Sequence, residues 1–180
     1  APGRRMFNAY GPTECTIFVT DFSIDREYDV VPIGFSTGDN ELYIVDAFNR
    51  PLPVGVPGEL AVAGRQVARG YLNLPDKTQA AFTENPFSDE DGFTRMYMTG
   101  DVCRRLADGA MQYVGRADEQ VKIRGFRIEL SEIEKRIRDF EPVRNASVIA
   151  YDLPAGGKAI AAYVVADDPV DVGALNAFVR

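Results

Sequence analysis

Residues 97–134 read YMTGDVCRRLADGAMQYVGRADEQVKIRGFRIELSEIE, and this stretch decides how the chain is organised. Gly100 predicts a turn, and Asp108-Gly109 predicts a tight hairpin. The run Gly115–Glu119 predicts an exposed connector, which we take as the domain boundary. The strands predicted beside these turns are Tyr97–Thr99, Val102–Leu106 and Met111–Val114.

The residues after this connector predict a small α+β unit. A second tight hairpin is expected around Arg124-Gly125. Ser131 and Glu134 have the spacing of a capping box, so a helix is expected to run to about Asp139. A final helix is expected after Asp171, which can cap it. The predicted strands are Gln120–Ile123, Phe126–Ile128, Ala146–Tyr151 and Ala159–Val165.

The part of the chain before the connector predicts a β-rich unit. Short β-branched and aromatic runs are separated by Gly- and Pro-containing turns, a spacing typical of a small antiparallel barrel or sandwich. The predicted strands are Thr16–Phe22, Glu41–Val45 and Glu59–Ala63, with a short helix at Asp76–Phe82. The expected fold class is therefore mixed α/β and β: a β-barrel-like portion over residues 1–117, followed by a small α+β domain over residues 118–180.

Composition excludes several classes of function. The 180 residues are 46% hydrophobic and 26% charged, as is usual for a soluble globular chain. Twenty basic and 27 acidic residues give a net charge of −7, without the basic cluster that binds nucleic acid or a membrane surface. No apolar run approaches the ~18 residues of a membrane span. The chain has no histidine, which excludes Ser-His-Asp and Cys-His catalysis.

The cysteines and the chain ends bear on the protein's context. Cys15 and Cys103 are far apart in sequence and predict free thiols in a reducing, cytoplasmic compartment. Residue 1 opens in mid-pattern, and the amphipathic run Ala174–Arg180 stops without a cap. We therefore expect the chain to be a piece of a longer protein.

Two loops place polar side chains where they suit nucleotide chemistry. In the run Tyr10–Glu14, a rigid Gly-Pro turn presents an aromatic ring, a hydroxyl and a carboxylate, which can stack on a base, donate to a phosphate and hold Mg²⁺. A plain loop with a solvated Glu14 is the alternative. Beyond Gly100, the carboxylate of Asp101 can accept two hydrogen bonds from a ribose diol, and a solvated turn residue is again the alternative.

One further motif lies within the connector, and another follows it. Arg116 can reach a phosphate or ribose with its fixed fork of donors. Asp118 can serve as a backbone pivot, although an ordinary polar linker is equally compatible with this composition. The basic hairpin Lys122–Arg127 has a glycine tip that can approach a ligand closely. An edge hairpin protected by its charge is the competing interpretation.

Four segments that include these motifs occur together, in an order and spacing found in one family. The chain resembles the adenylation domain of nonribosomal peptide synthetases, within the adenylate-forming superfamily that includes acyl-CoA synthetases and luciferases. The resemblance covers essentially all 180 residues. The segments that carry it are NAYGPTE (Asn8–Glu14), GELAVAGRQVARGYLN (Gly58–Asn73), YMTGD (Tyr97–Asp101) and GRADEQVKIRGFRIELSEIE (Gly115–Glu134).

The resemblance implies a two-step reaction. Such enzymes join a carboxylate substrate to ATP, giving an acyl-adenylate and pyrophosphate, and then transfer the acyl group to a thiol. The ligands implied are ATP/AMP, Mg²⁺ and an amino acid. The partners implied are a carrier domain with its phosphopantetheine arm and neighbouring synthetase domains, with no nucleic acid and no membrane. Residues 1–117 would be the end of the large domain, and residues 118–180 the start of the small C-terminal one.

Positions that match the family's motifs imply individual roles. The nucleotide-binding set is Asn8, Tyr10, Gly11, Thr13, Asp101, Tyr113 and Arg116. Within it, Tyr10 flanks the adenine, Thr13 contacts the α-phosphate and Asp101 binds the ribose hydroxyls. The catalytic set is Thr13, Glu14 as the Mg²⁺ ligand, and Gly125, which approaches the thiol in the second step. Asp118 matches the hinge. Ala9, Ile17 and Phe18 match positions that line the amino-acid pocket, and their apolar character favours an uncharged substrate side chain.

The chain departs from the family pattern in two respects. The Gly/Ser/Thr-rich phosphate loop is absent, and none of the four lysines, Lys77, Lys122, Lys135 and Lys158, lies in the segment that matches the catalytic lysine. We therefore expect these 180 residues alone to be inactive in adenylation. The alternatives are a D-alanine–carrier protein ligase, an acyl-CoA synthetase and, in another class, a non-catalytic carrier-docking module.

Overall fold

The computed structural model describes residues 4–117, 120–123, 126–154 and 156–179, without the side chains of Lys122 and Arg127. The chain divides into two compact units, Ala1–Ala117 and Asp118–Arg180. The described part is mostly β-structure with three helices. None of these helices has the length and apolar character that a membrane crossing requires.

The first unit contains two antiparallel sheets. Three strands form one sheet in the order β1-β2-β3: β1 (Met6–Tyr10), β2 (Thr20–Ile24) and β3 (Phe35–Ser36). The second sheet has the order β4-β5-β7-β6, and β8 also pairs with β7. Its strands are β4 (Asn40–Val45), β5 (Gly58–Gly64), β6 (Phe82–Glu84), β7 (Arg95–Arg105) and β8 (Met111–Arg116), with helix α1 (Pro75–Ala81) before β6. A bridge between Gly34 and Met111 joins the two sheets.

Strand β5 is the centre of the first unit and is buried on both faces. Successive side chains of a strand point to opposite faces. Leu60 and Val62 accordingly pack in one apolar cluster, while Ala61 and Ala63 pack in another. The small alanines allow close packing on the second face, which also holds the buried Met96 of β7. This arrangement holds β7, the strand that carries Asp101, against the core.

The two thiols belong to the larger of these clusters. Cys15 and Cys103 are free and fully buried, which confirms the prediction of free thiols. Burial raises the pKa of each to about 12, with smaller contributions from the charges of Glu14 and Asp101 respectively. Both cysteines are therefore protonated core residues and poor nucleophiles.

Three local predictions in the first unit were wrong. Gly100 is not a turn: it has φ 70° inside the eleven-residue strand β7, where the pairing with β5 shifts register. Arg116 is not in an exposed connector, because it ends β8 and its side chain is 16% exposed. The predicted strand Thr16–Phe22 begins only at Thr20, after a 3-10 turn at Thr13–Cys15.

In its described residues, the second unit contains two pairs of antiparallel strands and two helices. In chain order its elements are β9 (Val121–Ile123), β10 (Phe126–Ile128), α2 (Leu130–Arg138), β11 (Val143–Asp152), β12 (Lys158–Ala166) and α3 (Val172–Val179). Strands β9 and β10 pair with each other, as do β11 and β12. The buried residues of its core are Leu130, Ile137, Ala146, Val148 and Leu175.

The two helix-start predictions in this unit had different outcomes. Asp171 Oδ1 accepts hydrogen bonds from the amides of Gly173 and Ala174 at 2.8 and 3.1 Å, so the predicted cap of α3 is confirmed. The capping box was wrong, since α2 begins at Leu130. Glu134 Oε1 instead accepts a hydrogen bond from the amide of Val148 in β11, at 2.8 Å. The Glu134 carboxylate, which the local pattern assigned to the helix start, therefore binds a distant strand instead.

Candidate active site

Three residues predicted from separate motifs meet in the first unit. The Tyr10 hydroxyl donates a hydrogen bond to Asp101 Oδ2. Arg116 Nη1 donates to Asp101 Oδ1 at 2.9 Å. Asp101 and Arg116 are register partners on β7 and β8, so strand pairing places them opposite each other. Only 5% of Asp101 is exposed. We call these three residues the carboxylate cluster.

The backbone around Gly100 fixes the Asp101 carboxylate in place. The positive φ of Gly100 is a conformation that favours glycine, and its amide donates to Glu59 Oε1 at 2.8 Å. The Thr99 hydroxyl donates to the Leu60 carbonyl at 2.7 Å and accepts from the Asp101 amide at 3.0 Å. The irregular point in β7 is thus held on both sides by polar contacts.

The electrostatics of the carboxylate cluster follow from its burial. Burial, the charge of Asp101 and the hydrogen bond to Asp101 together raise the pKa of Tyr10 well above its ordinary value. Tyr10 therefore remains a donor at any physiological pH. The guanidinium of Arg116 supplies the counter-charge and also donates to the Thr99 carbonyl at 2.9 Å. A carboxylate has about four acceptor sites, so Asp101 can still accept the hydroxyls of a ligand.

A second group of contacts surrounds the turn Thr13–Cys15. Glu14 is half-buried, and its Oε1 accepts a hydrogen bond from the Tyr71 hydroxyl at 2.6 Å. The Glu14 carbonyl accepts from the Ala68 amide at 2.8 Å. Burial and then the hydrogen bond to Glu14 are the largest causes that raise the pKa of Tyr71 above its ordinary value. Sequence reasoning missed Tyr71, although it lies within the quoted segment Gly58–Asn73.

The loop after this turn crosses close to Gly11. A Cβ at Gly11 would lie 2.2 Å from Phe18 Cα and 2.6 Å from the Ile17 carbonyl oxygen, so only glycine fits. Ile17 has φ 74° and is 76% exposed, and Phe18 is also exposed. Both side chains line an open surface pocket of about 590 Å³ together with Arg65 and Gln66. Apolar side chains predicted to line a substrate pocket therefore do face open space.

The remaining predicted residues are dispersed. Asn8 Nδ2 donates to the Pro32 carbonyl at 2.7 Å, so its amide holds a neighbouring loop. Ala9 and Thr13 are exposed, and Tyr113 on β8 is 40% exposed. Asp118 and Gly125, predicted as the hinge and the thiol-facing glycine, lie outside the described residues.

Known proteins are similar to this chain over nearly its whole length. Residues 1–72 match the family model described as AMP-binding enzyme. Gramicidin S synthase 2 of Brevibacillus brevis is 45% identical over 179 residues, which are 99% of this chain and 4% of the synthase. Surfactin synthase subunit 2 of Bacillus subtilis (strain 168) is 47% identical over 177 residues, 98% of this chain and 5% of the subunit.

A solved structure agrees with these relatives. The adenylation domain AlmE of Vibrio cholerae, in complex with glycyl-adenosine-5'-phosphate, matches 89% of this chain and 31% of its own, with a TM-score of 0.76 and 33% identity. The resemblance inferred from the sequence is confirmed. The chain is similar over nearly its whole length to nonribosomal peptide synthetases and to an adenylation domain, and it spans about one twentieth of the length of the synthetases it matches.

Proposed function

We propose that these 180 residues are part of an amino-acid-activating adenylation domain, which forms an aminoacyl-adenylate from ATP and transfers the aminoacyl group to a carrier thiol. The carboxylate cluster is the observation that carries this proposal. It holds a buried, charge-balanced acceptor beside Tyr10, an aromatic residue of the predicted nucleotide set. The AlmE domain, whose structure contains a glycyl-adenylate, supports the assignment to this chemistry.

In this proposal Asp101 accepts hydrogen bonds from the ribose hydroxyls. Its two carboxylate oxygens are already oriented by Tyr10 and Arg116, so little reorganisation is needed when a nucleotide binds. Tyr10 flanks the adenine, and the exposed hydroxyl of Thr13 contacts the α-phosphate. Asn8, on β1, holds the neighbouring loop at Pro32, and Gly11 allows the chain to cross closely at Phe18.

Glu14 is the proposed ligand of Mg²⁺. Mg²⁺ is usually bound by one or two carboxylates together with substrate phosphates and water, and a half-buried carboxylate that Tyr71 already orients fits that requirement. When bound, the cation neutralises charge on the phosphates during adenylate formation. The protein's own contribution is to hold the Glu14 oxygen in a defined direction.

The second half-reaction is assigned to the carboxyl-terminal part of the chain. We propose that residues 118–180 begin a small domain that turns about Asp118, and that Gly125 then approaches the phosphopantetheine arm of a carrier domain. The division into two compact units at Asp118 supports this boundary. The solved structure of PA1221, described as an NRPS protein containing adenylation and PCP domains, matches 97% of this chain and 30% of its own, with a TM-score of 0.84 and 28% identity, and it supports a carrier domain as the neighbour.

Amino-acid-dependent ATP–pyrophosphate exchange in the whole protein tests the adenylation step. We expect exchange with an uncharged amino acid, because Ala9, Ile17 and Phe18 are apolar. The isolated 180 residues are expected to show none, since they lack the phosphate loop and the catalytic lysine. Exchange by the isolated chain would contradict that expectation, and its absence with every amino acid in the whole protein would contradict the proposed function.

The hinge is tested by separating the two half-reactions. In the whole protein, Asp118→Pro should slow loading of the carrier thiol while largely preserving pyrophosphate exchange, because proline restricts the backbone rotation that the domain movement needs. Single-turnover measurements of both steps make the comparison. An equal loss of both steps would argue against Asp118 as the hinge.

A further inference from the structure

The turn that carries Thr13 and Glu14 is held by one distant segment, Gln66–Tyr71. The Thr16 hydroxyl donates to the Gln66 carbonyl at 2.9 Å. The Ala68 amide donates to the Glu14 carbonyl, and the Tyr71 hydroxyl donates to Glu14 Oε1 at 2.6 Å. The first contact joins the Thr16 side chain to the backbone of Gln66, the second joins two backbone groups, and the third reaches the Glu14 carboxylate.

Tyr71 itself is rigidly seated. Its amide donates to Thr78 Oγ1 at 2.9 Å, and its ring packs edge-on against Phe82 with the ring centroids 5.4 Å apart. The preceding Gly70 has φ +143°, and a Cβ there would lie 2.3 Å from Thr78 Cγ2. The loop before Tyr71 is therefore packed against helix α1. Contacts with Thr78 and Phe82 hold the Tyr71 side chain in position. Its hydroxyl in turn holds the carboxylate of Glu14.

We propose that Tyr71 is a positioning residue that orients the Glu14 carboxylate for Mg²⁺; this inference rests on the proposed function. Mg²⁺ demands near-ideal octahedral geometry, so a carboxylate held in one direction binds it better than a freely rotating one. Outer partners of a metal ligand commonly change metal affinity about 10–100-fold.

A matched pair of tyrosines provides the test. Tyr71→Phe removes the hydroxyl and keeps the ring that packs against Phe82. Tyr43→Phe is the control, because the Tyr43 hydroxyl likewise donates to a glutamate, Glu41, on strand β4. Both variants are made in the whole protein, alone and combined with Glu14→Gln. Mn²⁺ is used as the probe, and its binding is titrated by electron paramagnetic resonance with a non-hydrolysable ATP analogue present.

We expect Tyr71→Phe to weaken Mn²⁺ binding about tenfold and to raise the Mg²⁺ concentration needed for half-maximal exchange, with kcat at saturating Mg²⁺ changed less. Tyr43→Phe should change neither. In the Glu14→Gln background, Tyr71→Phe should have no further effect, because the two residues act through one contact. Thermal unfolding identifies a merely structural loss, which would not depend on metal.

The outcomes separate this inference from the proposed function. If Glu14→Gln weakens Mn²⁺ binding and Tyr71→Phe does not, the positioning role is wrong and the metal role of Glu14 stands. If Tyr71→Phe weakens binding equally with and without Glu14→Gln, Tyr71 does not act through Glu14 and the inference is overturned. If Glu14→Gln leaves Mn²⁺ binding unchanged, both the inference and the proposed metal role of Glu14 are wrong.

Discussion

Two ion pairs in this molecule have the same local geometry and very different surroundings. Asp101–Arg116 and Asp152–Lys158 are each register partners in an antiparallel hairpin, and each has an N–O distance of 2.9 Å. The side chains are 7% and 16% exposed in the first pair, but 81% and 44% exposed in the second. Strand pairing alone brings opposite charges together, and burial decides what the contact does.

The difference indicates why only one pair is suited to ligand binding. An exposed pair contributes little, because water and salt screen it. A buried pair has been desolvated at considerable cost, so its members need additional hydrogen bonds. Asp101 has such a bond from Tyr10, and Arg116 has one to the Thr99 carbonyl. A carboxylate held in this way is pre-organised to accept hydrogen bonds from a bound molecule.

The largest effect predicted for a substitution is that of Asp101→Asn. The substitution removes the carboxylate charge that faces the buried Arg116, and we expect the free energy of unfolding to fall by about 3 kcal/mol. Equilibrium urea denaturation followed by circular dichroism measures the change. A loss below about 1 kcal/mol would mean that the pair behaves as an exposed one does.

Stability at high pH reports on the buried surroundings of Asp101, because the buried thiol of Cys103 lies on the same strand. Folding raises the pKa of Cys103, and of Cys15, to about 12. The native state therefore binds more protons than the unfolded state between the ordinary thiol pKa and the raised one. This stabilisation is complete below about pH 9 and falls towards pH 12, by about 1.4 kcal/mol per pH unit for each thiol. Alkylation by iodoacetamide across this range should remain slow, and rapid labelling at pH 9 would contradict the raised pKa values.

An intermediate effect is expected for Asp171, an exposed carboxylate that binds backbone amides. Asp171→Ala removes two hydrogen bonds at the start of α3 and should cost about 1 kcal/mol. Amide hydrogen exchange within Val172–Val179 reports the loss locally. Unchanged exchange there, with wild-type stability, would show that the cap contributes nothing.

The smallest effect is predicted for the exposed pair itself. Asp152→Asn breaks the contact with Lys158 at the hairpin between β11 and β12, and we expect a change within about 0.5 kcal/mol. The same urea titration used for Asp101→Asn measures it. An effect as large as that of Asp101→Asn would show that burial does not explain the difference between the two ion pairs.

Local patterns were sufficient for much of the fold. The predicted strand Glu41–Val45 differs from β4 by one residue at its start, and Glu59–Ala63 differs from β5 by one residue at each end, because alternating side chains and bounding turns are local signals. The carboxylate of Asp101 was selected from the same local pattern. Its neighbour Gly100 was misinterpreted, since a positive φ serves a turn and an irregularity within a strand equally well.

Contacts between distant residues account for what the sequence could not predict. Thr16 and Ile17 belong to a β-branched run typical of a strand, yet both have positive φ where the loop crosses Gly11. Tyr71 reaches Glu14 from 57 positions away, and nothing near either residue indicates the pairing. Both features depend on how the sheets pack, which no window of sequence contains.

The ATP dependence of pyrophosphate exchange tests the central claim, that the buried carboxylate cluster is the part that binds the nucleotide. In the whole protein, Asp101→Asn should raise the KM for ATP about tenfold or more, because the ribose loses a charged acceptor. Asp152→Asn should leave the KM for ATP at the wild-type value. Circular dichroism at the assay temperature establishes that each variant is folded. Equal KM values for ATP in the folded wild-type and Asp101→Asn proteins would contradict the account.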